Sequence, residues 1–221
     1  MAGRGVMVAL LATATLLTGC GTTVAGTATW PGAVLERALL QQSDFPAGVQ
    51  YDRIIEKPGQ PDGAGEPGPM LSRPQGCSNA LTNVIAQSAE RGPGSAAKYA
   101  VSYDGARIAM TLLSWNLDLD KIEAAASRCQ KFEAFFDPDS PGIPIVTVEL
   151  DGLEPGGLGY QQTMTLRNST SSIYMAFRNV GDHAVFGISL PASNPRIEAK
   201  AELPQTFLDV FAKQVARIRS S

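Results

Sequence analysis

Two runs of alternating apolar and polar residues meet at Asp104-Gly105, a pair that is a strong sequence signal for a two-residue hairpin turn. If the turn has two residues, Tyr99 lies opposite Met110 and Val101 lies opposite Ile108. These four large apolar side chains then share one face, because side chains alternate along a strand. The pattern therefore predicts a β-hairpin with one apolar face.

A second series of alternating segments predicts a meander of four antiparallel strands, near residues 143–150, 159–168, 171–180 and 183–190. A turn at Ser169-Thr170 would pair Leu166 with Ile173 and Met164 with Met175. A turn at Gly181-Asp182 would pair Met175 with Ile188, Phe177 with Phe186, and Ile173 with Leu190. Both turns place the large apolar residues on one side, which predicts a sheet with one buried face.

Three segments carry apolar residues at the spacing of an amphipathic helix. The first opens at Cys77-Ser78 and ends at Gly92-Pro93, with Ser78 as its N-cap and a buried stripe of Leu81, Val84 and Ile85. The second starts near Asp118, and its stripe is Ile122, Ala125, Ala126, Cys129, Phe132 and Phe136. The last has Pro204 in its first turn and a core face of Phe207, Phe211, Val215 and Ile218.

These elements predict an α+β domain, in which helices pack on one face of an antiparallel sheet of about six to seven strands. Upstream, an apolar run at 34–40, a turn at 45–48 and a strand at 49–55 belong to the same domain, which spans residues 34–221. A Pro/Gly-rich loop is expected at 57–75, because eight of the twelve residues from Pro58 to Pro69 are Gly or Pro.

The start of the chain is typical of an export signal. One basic residue, Arg4, precedes an apolar stretch from Val6 to Leu17, which is too short for a membrane-spanning helix. The following Leu17-Thr18-Gly19-Cys20 resembles the bacterial lipobox. That resemblance implies a signal peptide at 1–19, a diacylglycerol on the Cys20 thiol and an acylated amino group, and two acyl chains anchor a protein stably. The alternative is an ordinary secretory signal that ends near a cysteine.

After the lipobox the chain is small and polar, which predicts a flexible tether over residues 20–33. An edge strand of Thr and Val is the alternative reading of this segment. The expected location of the domain is therefore extracytoplasmic, attached to the cell membrane or envelope through the lipid at Cys20.

Charge and cysteine content narrow the classes of partner. The formal net charge is −3 and becomes −4 once Arg4 is removed with the signal, and the chain has no basic run, so nucleic acid is not an expected partner.

In an exported protein, Cys77 and Cys129 are expected to form a disulfide, with two buried free thiols as the alternative. No metal or other cofactor is expected, because His183 is the only histidine and the cysteines lack the paired spacing of zinc ligands.

The polar side of the meander is the candidate ligand site. The predicted register groups Gln161, Thr163, Thr165, Tyr174 and Arg178 around a shallow dip at Ala176 and Gly187. A hydroxyl-rich face with an aromatic ring and a guanidinium suits a glycan or a lipid head group. The alternative is an ordinary solvent-facing side of a sheet.

No arrangement of residues predicts catalysis. His183 follows a hairpin turn, no Gly-x-Ser-x-Gly motif is present, and the glycines at 152–159 precede a strand without a Gly-Lys-Ser/Thr sequence. Asp137 and Asp139 lie among prolines and are expected to form a turn, with weak calcium binding as the alternative. The chain is therefore not expected to be an enzyme.

The order of elements resembles that of small envelope lipoproteins of mycobacteria and related actinobacteria. It is also similar to the extracellular sensor domain of a mycobacterial serine/threonine kinase, as is the run Ser43-Asp44-Phe45-Pro46-Ala47-Gly48 after a leucine-rich helix. The resemblance implies a disulfide-bonded domain with a cleft for an extracellular ligand and no catalytic residues. The sensor domain has two disulfides, whereas this chain can form one within its folded part.

Three functional hypotheses follow. The first is a ligand-binding envelope lipoprotein that recognises a glycolipid or glycan. The second is an accessory lipoprotein that docks onto another envelope protein through the Pro58–Pro69 loop or the exposed sheet face. The third, a hydrolase of unfamiliar type, is disfavoured because no catalytic constellation is found.

Overall fold

The fold is an open antiparallel sheet with three α-helices, described by a computed structural model over residues 31–55, 70–83, 91 and 94–220. The strands are β1 (Gln50–Ile54), β2 (Leu71–Arg73), β3 (Ala96–Tyr103), β4 (Gly105–Leu113), β5 (Lys131–Phe135), β6 (Ile143–Glu149), β7 (Gly157–Leu166), β8 (Ser169–Val180) and β9 (His183–Ala192). The helices are α1 (Pro31–Ala38), α2 (Leu119–Arg128) and α3 (Gln205–Arg219).

The strand order across the sheet is β1-β3-β4-β9-β8-β7-β6-β5-β2. The α+β class, the antiparallel sheet and the C-terminal four-stranded meander are confirmed. The sheet has nine strands, two more than the upper expectation, because β2 and β5 add a second edge beyond the meander.

Several sequence-based expectations fall outside the described residues. They are the signal peptide at 1–19, the lipidated Cys20, most of the tether at 20–33, the Pro58–Pro69 segment, and the helical residues Val84, Ile85 and Gly92-Pro93. Helix α1 begins at Pro31, three residues before the expected start of the domain at residue 34.

The β3–β4 hairpin has the predicted register. Tyr99 pairs with Met110 and Val101 with Ile108, and a two-residue turn follows from the pairing of Tyr103 with Ala106. Gly105 in that turn has φ +114°, and a Cβ there would lie 2.7 Å from the carbonyl oxygen of Ala201. Glycine is therefore required at this position by both conformation and space.

The predicted register of the meander is correct at the β8–β9 turn and shifted at the β7–β8 turn. The predicted β8–β9 pairs Met175–Ile188 and Phe177–Phe186 are present. The predicted Ser169-Thr170 turn is wrong, because β7 and β8 turn at residues 167–168, where Arg167 has φ +54°. Thr170 is β-branched and fits an extended strand better than a turn that needs positive φ.

This shift moves every β7–β8 pair by four residues without changing the faces. Ile173 pairs with Gln162 instead of Leu166, and Met175 pairs with Tyr160 instead of Met164. Because four is an even number, each side chain remains on its predicted side of the sheet.

The helices are divided between the two faces of the sheet, whereas the sequence led us to expect them on one. Along β8, Ala176 packs in the cluster that contains Phe207 and Phe211 of α3, while Met175 and Phe177 pack in the cluster that contains Ile122 of α2. We call the side covered by α1 and α3 the first face and the side covered by α2 the second face. The hairpin's apolar side chains lie on the first face and those of the meander lie on the second.

The predicted C-terminal helix is confirmed as α3. Its four predicted core residues are all buried, and Pro204 stands immediately before it. Helix α3 also holds the N-terminal region, because Arg217 forms an ion pair with Asp44 at 2.6 Å. The Ser43–Gly48 run is therefore fixed by contact with the last helix.

Gln214 joins α3 to the end of α1 through two buried hydrogen bonds. Its Nε2 donates to the carbonyl of Ala38 at 2.8 Å, and its Oε1 accepts from the backbone N–H of Leu40 at 3.1 Å. The side chain is fully buried. The Gln214 amide therefore provides hydrogen-bond partners for a carbonyl and an N–H at the end of α1, where the helix itself cannot supply them.

We expect Gln214→Ala to lower the free energy of unfolding by about 2–3 kcal/mol, because it leaves a buried N–H and a buried carbonyl unpaired. Urea unfolding followed by circular dichroism measures this loss. Gln205→Ala is the matched control on the same helix, since Gln205 is exposed and bonds only to Asp209. Equal midpoints for the two variants would contradict the assigned role.

Helix α2 begins where the sequence predicts and ends earlier than predicted. Asp118 caps α2, and its carboxylate accepts from the N–H of Lys121, as expected for its first turn. The helix ends at Arg128, however, so Phe132 lies in β5 and Phe136 is 74% exposed. The sequence Lys131–Phe135 alternates polar and apolar residues, which fits a strand as well as the helical spacing fits a helix.

The first predicted helix does not begin at Ser78. Residues 78–82 form turns, and the hydroxyl of Ser78 donates to the carbonyl of Met70 instead of capping a helix. Residues 71–73, which fell inside the expected loop at 57–75, form the edge strand β2 against β5. The backbone N–H groups of Cys77 and Ser78 donate to the hydroxyl of Ser72, which fixes the turn beside this strand.

The Cys77 and Cys129 sulphur atoms lie at disulfide distance, 2.09 Å apart. Cys77 follows β2 and Cys129 follows α2, so the pair joins the edge of the sheet to the end of a helix. The sequence predicted Cys77 at the start of the first helix and Cys129 within the second, whereas Cys77 follows a strand and Cys129 follows the end of its helix. Phe132 and Ala134 of β5 bury the pair.

Candidate functional site

The structure brings Gln161 and Thr163 together with Ser172 on the first face. The Nε2 of Gln161 donates to the Thr163 hydroxyl at 3.2 Å and to the Ser172 hydroxyl at 2.9 Å. The two hydroxyls lie 2.9 Å apart. We call Gln161, Thr163 and Ser172 the polar patch, and its atoms are half-buried and reachable from solvent.

Tyr174 and Thr165 border the polar patch on opposite sides. Tyr174 is the cross-strand partner of Gln161, and its ring packs partly against the core on the first face. Thr165 pairs with Thr170 near the β7–β8 turn and is exposed. Both side chains belong to the same surface as the patch, because residues two apart on a strand share a face.

Arg178 lies away from the patch and has partners of its own. Its guanidinium donates to the carbonyl of Glu154 at 3.2 Å and forms an ion pair with the Glu154 carboxylate at 3.3 Å. Only 13% of its side chain is exposed. The expected role as a set of free ligand-binding donors is therefore replaced by a link between β8 and the loop before β7.

Glu154 completes this link with α3. Its carboxylate also accepts from Arg219 at 2.8 Å. The hydrogen bond and charge of Arg219, followed by the charge of Arg178, hold the pKa of Glu154 below its usual range. The three side chains fasten the 150–156 loop over the sheet, between Arg178 and the polar patch.

The expected dip at Ala176 and Gly187 is filled. A Cβ on Gly187 would lie 3.0 Å from ring atoms of both Phe207 and Phe211, and Ala176 is fully buried. A Cβ on Gly159 would similarly lie 2.6 Å from Leu153. The small residues on this face therefore receive α3 and the 150–156 loop, and they leave no floor for a ligand.

The uncovered part of the first face continues from the patch onto β6. Val148 pairs with Gln161 and Val146 with Thr163, and these valines are 49% and 40% exposed. Sequence reasoning missed Ser172 and the two valines as neighbours of the candidate site. The correct β7–β8 register would have identified Ser172, since it faces Thr163 directly.

The remaining candidate residues have local roles. His183 opens β9 opposite Val180 and makes no side-chain hydrogen bond to any described residue. The carboxylate of Asp137 accepts from the N–H of Asp139, as expected for a turn.

Within residues 31–55, 70–83, 91 and 94–220, no three side chains of His, Cys, Asp or Glu are grouped so that they could hold a metal ion. Over the same ranges, no helix has both the length and the apolar character needed to cross a membrane.

Comparison with known proteins identifies the fold. The chain is similar to the crystal structure of the extracellular domain of PknH from Mycobacterium tuberculosis, with a TM-score of 0.51 and 12% identity over 89% of this chain and 100% of that domain. It is also similar to the X-ray structure of an uncharacterised protein from Mycobacterium smegmatis, with a TM-score of 0.44 and 16% identity over 86% and 95% of the two chains. No protein-family model and no curated protein matches the chain. The fold expected from the resemblance to a mycobacterial extracellular sensor domain is confirmed.

Proposed function

We propose that the chain is an exported lipoprotein that displays a non-catalytic, sensor-like binding domain outside the cytoplasmic membrane. The observation that carries this proposal is the fold shared with the extracellular domain of PknH over 89% of this chain. The lipobox residues Leu17-Thr18-Gly19-Cys20 supply the anchor, and the Cys77–Cys129 pair suits an oxidising compartment. A signal-cleaved, diacylated Cys20 would place the domain within reach of the membrane surface.

The absence of a catalytic role is part of the proposal. His183, the only histidine in the chain, lies at a hairpin turn beside α1 and α3 and makes no side-chain hydrogen bond to any described residue. General acid–base catalysis needs a titrating group held by hydrogen bonds near a substrate. The polar patch offers neutral hydroxyl and amide groups instead, which suit binding.

The proposed ligand is a glycan or the sugar head group of a glycolipid, bound at the polar patch. Gln161, Thr163 and Ser172 present donors and acceptors in alternation, as do the hydroxyl groups of a sugar. Val146 and Val148 beside the patch offer apolar contact to the carbon face of a sugar ring.

We expect the combined variant Gln161→Ala, Thr163→Val and Ser172→Ala to bind a glycolipid surface at least about tenfold more weakly, because up to three hydrogen bonds of about 1 kcal/mol each are removed. The measurement is co-sedimentation of purified protein with phosphatidylcholine vesicles that contain digalactosyl diacylglycerol, compared with vesicles that lack it. Ser171→Ala is the matched control, because Ser171 faces the opposite side of β8. Equal binding by the combined variant and the wild type would exclude the patch as the site.

The exposed valines favour a second candidate function, which is docking onto another envelope protein. Val146 and Val148 lie side by side on one strand face and remain exposed although they are apolar. A photo-reactive amino acid at position 148, activated in intact cells, distinguishes the candidates. One dominant protein adduct favours docking, whereas its absence together with glycolipid-dependent sedimentation favours the sugar ligand.

A further inference from the structure

A groove separate from the polar patch lies between α2 and the end of β6, on the side of the second face. Its volume is about 460 Å³, and its lining includes Glu123, Ala126, Lys131, Val148, Glu149 and Tyr160. The groove exists because β5 pairs with β6 only as far as Val146, so the last residues of β6 face the helix across an open gap. The site described above uses none of its polar groups.

Tyr160 places a phenol ring in the wall of this groove. It is 4% exposed, and its ring packs against Phe177 with 6.3 Å between the ring centres. Its hydroxyl makes no hydrogen bond to any of the described residues. The ring is buried but the hydroxyl is accessible from the groove, so the hydroxyl retains both a donor and an acceptor for a bound group.

Two carboxylates, Glu123 and Glu149, line the groove together with Tyr160. Glu149 is the cross-strand partner of Tyr160, and Glu123 approaches from α2. Burial, with the charges of Glu123 and Glu149 after it, raises the pKa of Tyr160 to about 12. The phenol is therefore neutral at pH 7, and its oxygen can accept a hydrogen bond.

The charge of the groove favours a cationic ligand. Among the described residues that line it, Glu123 and Glu149 are acidic and Lys131 alone is basic. A divalent metal ion fits poorly, because calcium takes six to eight oxygen ligands and these residues do not form a group of three metal-binding side chains. An ammonium group has three donors, which match two carboxylates and one phenol oxygen.

We propose that this groove binds a primary alkylammonium group, with its nitrogen between Glu123, Glu149 and Tyr160. The alkyl chain lies along Ala126 and the buried ring of Tyr160, which provide an apolar wall on the second face. The proposal goes beyond the sugar-binding function, and it needs neither the polar patch nor the lipid anchor.

The test is an NMR titration of isotopically labelled, purified protein with pentylammonium chloride at pH 7. We expect saturable shift changes confined to the groove, and much smaller changes with the neutral analogue pentanol. The double variant Glu123→Gln and Glu149→Gln should weaken binding about tenfold, and Tyr160→Phe about threefold. Glu133→Gln is the control, because Glu133 is an exposed carboxylate outside the groove and should leave the affinity unchanged.

Three results would overturn the proposal. Pentanol could bind as tightly as the amine, the double variant could bind the amine with unchanged affinity, or calcium chloride could bind in the groove more tightly than the amine. All the substitutions are isosteric or conservative, and an unchanged spectrum elsewhere shows that the fold is intact. The vesicle experiment reports on Gln161, Thr163 and Ser172, which lie outside the groove, so the two proposals can fail independently.

Discussion

Removal of the Cys77–Cys129 link is expected to lower the free energy of unfolding by about 4 kcal/mol, because the link closes a loop whose ends are 52 residues apart. The link restricts the unfolded chain, and long loops lose the most conformational freedom when they are closed. It also ties β2, a strand of three residues at the edge of the sheet, to the end of α2. Urea unfolding of Cys77→Ala/Cys129→Ala and of the wild type measures the difference.

Reduced wild-type protein is the control for this experiment. Both cysteines are fully buried, so the alanine variant loses packing as well as the cross-link. Treatment of the wild type with reductant removes the cross-link alone and should account for most of the loss in stability. Identical unfolding of reduced and oxidised protein would show that the two thiols are not joined.

Replacement of Gly187 by valine is expected to cost about 3 kcal/mol of unfolding free energy, because it overfills the contact between β9 and α3. A Cβ alone would lie 2.9 Å from the Met110 sulphur and 3.0 Å from ring atoms of Phe207 and Phe211. These neighbours are fully or almost fully buried and belong to one cluster, so they have little room to move. Thermal and urea unfolding of Gly187→Val measure the cost.

Two further variants make the result specific to this contact. Thr170→Val, an exposed position on β8, should change stability by less than about 0.5 kcal/mol. Phe211→Leu should recover part of the loss when combined with Gly187→Val, which a double-mutant cycle reports as a coupling energy. Unchanged stability of Gly187→Val would mean that this face is an open floor, as the sequence alone led us to expect.

Elements with local signals could be predicted from the sequence. The Asp104-Gly105 turn, the Gly181-Asp182 turn and the α3 stripe each depend on residues close in the chain, and their register or burial agrees with the structure. The Ser169-Thr170 turn failed because the actual turn at residues 167–168 contains no glycine to mark it. Its even shift left the faces intact, so the predicted alternation survived the wrong pairing.

The relation of the hairpin to the meander could not be predicted. Alternation shows which side chains of a strand share a face, but it does not show on which side of the whole sheet that face lies. The pairing of β4 with β9 joins residues about 80 positions apart and places the two apolar faces on opposite sides. Gly187 was for this reason interpreted as part of an open surface, although it receives α3.

In the candidate sites too, contacts within one strand could be predicted from the sequence, whereas contacts between distant segments could not. Gln161 and Thr163 were predicted as neighbours because they lie two residues apart on one strand, and the structure joins them by a hydrogen bond. Arg178 was placed on the correct side, but its partner Glu154 belongs to a loop whose path the pattern does not define. The groove beside Tyr160 depends on α2 approaching β6, a contact between distant segments that no local signal marks.

The most direct test of the central claim is mass spectrometry of the protein purified from the membranes of an actinobacterial host. The N-terminal peptide is expected to begin at Cys20 and to carry a diacylglycerol on the thiol. A Cys20→Ala variant of the protein should be lost from the membrane fraction. An N-terminal peptide that retains residues 1–19, or one that begins at Cys20 with a free thiol, would contradict that claim.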